Sequence, residues 1–259
     1  MTAALWRALG DSLSRLAEDG RPIRFWLRDD DAVAPSATLD RLIAVAGEVP
    51  LALAVIPALA EPALAGRLAE CPRVSVLQHG YAHTDHSAPA AKKCELGPER
   101  PAATVLGELA AGRDRLGIFT RVVPVLVPPW NRIAEDIVAG LPALGFRALS
   151  VYGERPVSRA GLPRLNTHID PVDWHGGRAF LGEDVVLASL IARLERLRTG
   201  AAERDEPTGI LTHHLVHDAA SFAFLANLLP AIADHPACRW QSVETLLGLD
   251  ALSQSAGAT

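Results

Sequence analysis

The chain has 259 residues, 49% of them hydrophobic and 21% charged, with a formal net charge of −5. Such a composition belongs to a globular chain with a sizeable core, and a length of this order suits one α/β domain. The acidic balance and scattered arginines give no field that would attract nucleic acid, and no stretch approaches the roughly 18 apolar residues of a membrane span.

The first residues place Leu5, Trp6, Leu9, Leu13 and Leu16 among Arg7, Asp11, Arg15 and Glu18, an amphipathic helix and not the unbroken apolar core of a signal peptide. Cys71, Cys94 and Cys238 are odd in number and lack CxxC spacing, which fits a reducing compartment. Together these features predict a cytoplasmic protein.

Short apolar runs then alternate with longer stretches of helical period. Strands are expected at 23–29, 51–56, 73–78, 122–127, 146–152, 164–169, 209–213 and 239–243, and helices near 36–47, 60–70, 101–117, 133–143, 183–199 and 218–233. Strands apolar on both faces, each followed by a helix, predict an α/β fold. The form expected is a distorted (β/α) barrel of about seven to eight mostly parallel strands. We expect a single domain over 1–252 and a flexible tail over 253–259. The long non-periodic segment 86–101 reads as a lid or binding loop, with Lys92, Lys93 and Glu95 near enough to His83 in sequence to line the site but read in preference as solvated. Arg193, Glu195, Arg196 and Arg198 read as a solvated helix face.

Parallel α/β folds bind ligands beyond the carboxyl ends of their strands. Here those ends carry Asp29-Asp30-Asp31, Gln78-His79 with His83, Pro128-Pro129-Trp130-Asn131, Asp170 with Asp173-Trp174, and His213-His214. An Asp run alone is more often a turn or cap, and a His pair alone is weak evidence. His79 and His83, four apart, would share a face if that segment is a helical turn. Five polar clusters at one predicted end argue for a shared site. Two imidazoles and a carboxylate suit a catalytic zinc with an open position, while a second carboxylate and a further histidine suit proton transfer in amide or ester hydrolysis.

These residues resemble the motifs of the NodB-like polysaccharide deacetylases, carbohydrate esterase family four. Asp29-Asp30-Asp31-Ala32 is similar to the family's Phe-Asp-Asp-Gly, and His79-Gly80-Tyr81-Ala82-His83 to its His-Ser/Thr-x-x-His. Val127-Pro128-Pro129-Trp130-Asn131 is similar to its Arg-x-Pro-Tyr-Gly, and Asp170-Pro171-Val172-Asp173-Trp174 matches its Asp-x-x-Asp-Trp in full. Leu211-Thr212-His213 resembles its Leu-x-His.

The resemblance implies a metal, zinc or another divalent transition ion, on Asp31, His79 and His83. It implies Asp30 as general base, His213 as general acid kept oriented by Asp173, and Pro129, Trp130, Asn131, Trp174 and Tyr81 around the substrate, with the Trp130 amide on the oxyanion. The activity implied is removal of an acetyl or acyl group from an N-acylated sugar or related amide; the partner would be a small molecule or oligosaccharide.

The departures are Val127 for the third motif's arginine, with Arg28 or Arg132 as stand-ins, Ala32 and Asn131 for glycines, and Gly80 for a hydroxyl residue. His86 competes with His83 as ligand and His214 with His213 as acid. Two other readings stand beside the deacetylase: a cytosolic amidohydrolase acting on a small non-carbohydrate amide, and a sugar- or partner-binding protein that has lost catalysis on the same fold.

Overall fold

A computed structural model describes residues 2–18, 20–155 and 161–249. The tail expected at 253–259 lies outside the described residues. In chain order the elements are α1 (Thr2–Ala17), β1 (Ile23–Ala32), α2 (Ala37–Ala46), β2 (Leu51–Val55), α3 (Pro62–Ala69), β3 (Val74–His79), α4 (Ala102–Leu116), β4 (Val122–Val127), α5 (Glu135–Gly140), β5 (Ala148–Leu149), α6 (Glu183–Thr199), β6 (Thr208–Thr212), α7 (Ala219–Ala233), β7 (Cys238–Trp240) and α8 (Val243–Leu246). No described helix is long and apolar enough to cross a membrane.

The chain forms two compact units interleaved in sequence. The first comprises Met1–Asp29, Ser36–Leu51 and Thr167–Gln241; the second comprises Asp30–Pro35, Ala52–Asn166 and Ser242–Thr259.

In the first unit β1 runs parallel to β6, with Leu27 opposite Ile210 and Asp29 opposite Thr212, and parallel to β7, with Phe25 opposite Trp240. Helix α1 buries Leu9, Leu13 and Leu16, the stripe its period predicts, and packs on α6, where Trp6 Nε1 donates to Glu183 at 3.1 Å. Caps set the helix starts: Ser36 accepts from the Leu39 amide at the head of α2, and Asp218 from the Ser221 amide at the head of α7. Helix α6 matches its predicted bounds, but Arg193 is buried and bonded to Glu206 at 2.8 Å, with His168 Nε2 at 3.3 Å from the same carboxylate. It therefore does not belong to the solvated face that its charged neighbours suggested. The expected strand 164–169 is reduced in this unit to a bridge of Ile169 with Ile210.

In the second unit the strand order is β2, β3, β4, β5. The described β3–β4 and β4–β5 pairings are parallel. A shift of register between Val76 and Gln78 brings His79 opposite Val127. The expected strand 146–152 contracts to Ala148–Leu149, because only that stretch pairs with Val125 and Leu126. Phe146 and Leu149 also join Leu96, Val105, Leu109, Leu126, Ile137 and Leu141 in one apolar cluster. Among the described residues seven strands form, each followed by helices as the α/β pattern predicts.

Candidate metal centre and acid–base residues

Strand ends place the side chains of the second unit. β1 delivers Asp30 and Asp31 and β3 delivers His79. Asp31 Oδ1 lies 3.1 Å from His79 Nε2 and 3.3 Å from His83 Nε2, and the three ligand atoms fall within 4.8 Å of one another. The His79 Nδ1 hydrogen donates to the Val127 carbonyl at 2.9 Å, which turns the Nε2 lone pair toward Asp31.

The expectation of a helical turn between the histidines is not met. Residues 80–83 are a non-helical turn, and the rings converge because Gly80 and His83 both adopt positive φ, 54° and 55°. His86 stands apart on the following loop, its amide donating to the Cys94 carbonyl, so His83 is the residue that the turn brings to Asp31.

Backbone strain concentrates here. Of the six described non-glycine residues at positive φ, four are Asp31, His83, Trp130 and Asn131. L-residues adopt this region at a cost of about 1–3 kcal/mol each, and such strain clusters at functional sites. Trp130 stands beside His83 with ring centroids 4.4 Å apart, and Lys93 Nζ lies 5.9 Å from the Trp130 ring. Pro129 is buried, while Tyr81 and Asn131 are partly exposed.

Charge follows the same pattern. Burial pushes the His79 imidazole down, but the hydrogen bond to Asp31 and the charges of Asp30 and Asp31 outweigh it and leave it above the ordinary histidine value. His83 is held below that value, first by burial and then by the neighbouring His79. Asp30 is itself only 4% exposed. Tetrahedral zinc with bonds of about 2.0–2.2 Å holds its ligand atoms roughly 3.3–3.6 Å apart. The Asp31–histidine separations lie close to that range, and the donor set is chemically suited, so these residues fit a divalent transition ion.

Two residues on this side take roles that the sequence did not reveal. Glu95, read as part of a solvated loop, is 1% exposed and accepts from the Tyr81 and Ala82 amides. Gln78 donates to the Gly80 carbonyl at 3.0 Å. Of the two stand-ins for the absent arginine, Arg132 donates to the Lys93 carbonyl at 2.8 Å and so serves the loop, while Arg28 of the first unit is fully buried.

The first unit holds the second set. His213 lies edge-on to Trp174, with ring centroids 4.6 Å apart, and its Nδ1 is 4.0 Å from Asp170 Oδ2, which also accepts from Trp174 Nε1 at 2.8 Å. The carboxylate beside His213 is therefore that of Asp170. Asp173, expected there, accepts from the His175 and Gly176 amides and shapes its own turn. Spacing alone could not separate two aspartates of one motif. His214 is 1% exposed and its ring is bonded to Asp29, whose other oxygen takes the His214 amide. Trp174 is 41% exposed, an aromatic surface at the edge of this group.

No protein-family model and no curated protein matches the sequence; the likeness to known proteins is structural. A Mycobacterium smegmatis protein assigned as a polysaccharide deacetylase superposes with a TM-score of 0.59 at 16% identity, over 91% of this chain and 92% of that one. The peptidoglycan deacetylase PdaC of Bacillus subtilis gives 0.54 at 12% identity, over 92% and 95%. The chitin deacetylase of the fungal pathogen Colletotrichum lindemuthianum gives 0.53 at 15% identity, over 88% of each chain. The fold is that of the NodB-like polysaccharide deacetylases.

Proposed function

We propose that the protein is a metal-dependent hydrolase that removes an acetyl or related acyl group from an amine nitrogen, with an N-acylated sugar as the favoured substrate class. The observation that carries this reading is the convergence of Asp31, His79 and His83 on backbone held at positive φ. The structural neighbours named for polysaccharide, peptidoglycan and chitin deacetylation support the substrate class.

Asp31, His79 and His83 would hold the metal. A divalent ion in such a place supplies Lewis acidity, acidifying water and polarising an acyl oxygen. Asp30, buried and next to the ligand Asp31, takes the proton of the attacking water. The Trp130 amide holds the oxyanion of the tetrahedral adduct, an interaction worth about 3–4 kcal/mol where such donors have been removed. His213 gives the leaving amine its proton; this role comes from the resemblance, with the Asp170 carboxylate 4.0 Å from its Nδ1. Trp130 offers an apolar face to a sugar ring, and the resemblance gives Trp174 the same part. Specificity beyond that rests with Tyr81, Pro129 and Asn131.

Metal analysis together with acetate release from short N-acetylated sugars tests the reading. Stoichiometric zinc and release that chelation abolishes are expected. A chain with neither overturns the enzyme reading, and release from small N-acyl amines but not from sugars overturns the substrate class.

A further inference from the structure

The turn that carries Tyr81 and Ala82 is held on both sides. The Gly80 amide donates to the Val127 carbonyl at 3.0 Å, Gln78 Nε2 donates to the Gly80 carbonyl at 3.0 Å, and the Ala58 amide donates to the Tyr81 carbonyl at 2.8 Å. What remains are the amides of Tyr81 and Ala82, and both donate to one side chain, the Glu95 carboxylate, at 3.2 and 2.7 Å. A carboxylate as buried as this one carries a large desolvation cost unless its oxygens are bonded, and here backbone donors supply the bonds.

The packing leaves no slack. A Cβ on Gly80 would fall 2.0 Å from Glu95 Oε2 and 2.7 Å from Pro129, so the missing side chain at 80 is the space that the carboxylate fills. Glu95 also sits on a firm mount. The Arg100 guanidinium donates to its carbonyl at 3.2 Å, the Cys94 amide donates to Asp85 at 3.1 Å, and Arg132 holds the Lys93 carbonyl.

We infer that Glu95 is a positioning residue of the metal centre: its carboxylate, clamped on the Tyr81 and Ala82 amides, fixes the turn that brings His83 to Asp31 and His79. The inference rests on the metal reading above and adds to it a residue from outside the ligand motifs. The carboxylate takes over by long-range contact what a hydroxyl side chain at position 80 would do locally.

The test uses zinc alone as probe, titrated into the full chain against a chromophoric chelator, with the visible spectrum of the cobalt-substituted protein as a second readout. Glu95→Gln puts an amide N–H against one of the two backbone donors. Outer residues that orient metal ligands typically account for 10- to 100-fold in affinity, and a loss of about that size is expected, with an altered cobalt spectrum. Glu95→Asp, one methylene shorter, should fall between and serves if the glutamine variant does not fold. Glu99→Gln, on the exposed part of the same loop, should change neither readout. If the unsubstituted chain binds no zinc, the metal reading falls and takes this inference with it. If it binds zinc, and the folded Glu95 variants match its affinity within about two-fold with an unchanged cobalt spectrum, the inference alone is overturned.

Discussion

Two histidine-rich regions, one in each compact unit, use the same side chain in opposite ways. Around Asp31 the imidazoles of His79 and His83 turn ring nitrogens toward one carboxylate oxygen, on backbone driven into the left-handed region at Asp31 and His83. Around His213 each imidazole has its own environment. His214 is sealed against Asp29, His217 accepts from the His213 amide through Nε2 at 3.3 Å, and His213 faces Trp174 and Asp170. Convergent donors are what a metal needs, while each of the three neighbouring histidines answers to a different partner.

The sharpest way to break the contrast is to remove His79. His79→Ala should take zinc content from one per chain to near none, by mass spectrometry of the native protein, whereas His213→Ala should keep it at one. Equal zinc in both variants would abolish the distinction between the regions. Next is Asp30→Asn, which should keep the zinc and lower acetate release by about 10²- to 10⁴-fold, the range of a general base. Within the first unit, His214→Ala leaves the buried Asp29 carboxylate without its imidazole and should destabilise the protein by about 3 kcal/mol in urea unfolding. His213→Ala should affect turnover and leave stability within about 1 kcal/mol. An exchange of these phenotypes would make His214 the acid.

How far the sequence foretold this can be judged residue by residue. Helix α6 was legible to its ends because Glu183 and Asp184 open it and Gly200 follows it. Strand β4 was equally legible from Val122–Val127. The run at 146–152 misled because an apolar stretch reports burial, not pairing: Phe146 and Ser150 are buried outside the two-residue strand. In the site, Asp31 and the two histidines stood out by type and strand-end position. Their convergence was expected through a helical turn, and it comes instead from positive φ at Gly80 and His83. Glu95 could not be seen because its role requires residues 80–82 and 95 to meet, a contact set by the fold. A weak signal was there: Glu95 lies between Cys94 and Leu96, an apolar setting unlike the lysines before it.

The smallest expected effect comes from His217, which burial holds down to about 4, with the charges of His213 and His214 adding to the shift and Asp29 and Asp218 opposing it. An imidazole whose folded value lies below its unfolded value of 6.5 is kept neutral by the native state. The unfolded chain then binds the extra proton as pH falls, so stability is full above 6.5 and declines down through about 4. At pH 5.5 the loss is about 1.4 kcal/mol, and it approaches roughly 3 kcal/mol at the acid end of the window. His217→Gln removes the titrating ring, so the difference in urea-unfolding stability between pH 7.5 and pH 5.5 should shrink by about 1.4 kcal/mol relative to the unsubstituted chain. The matching variant His83→Gln, measured without metal, should shrink it less. His83 is also held low, but its ring is a quarter exposed and the Asp31 and Glu95 charges favour its proton. If the two substitutions flatten the acid limb equally, the histidines of the first unit are no more sealed than His79 and His83, and the contrast between the regions would rest on backbone strain alone.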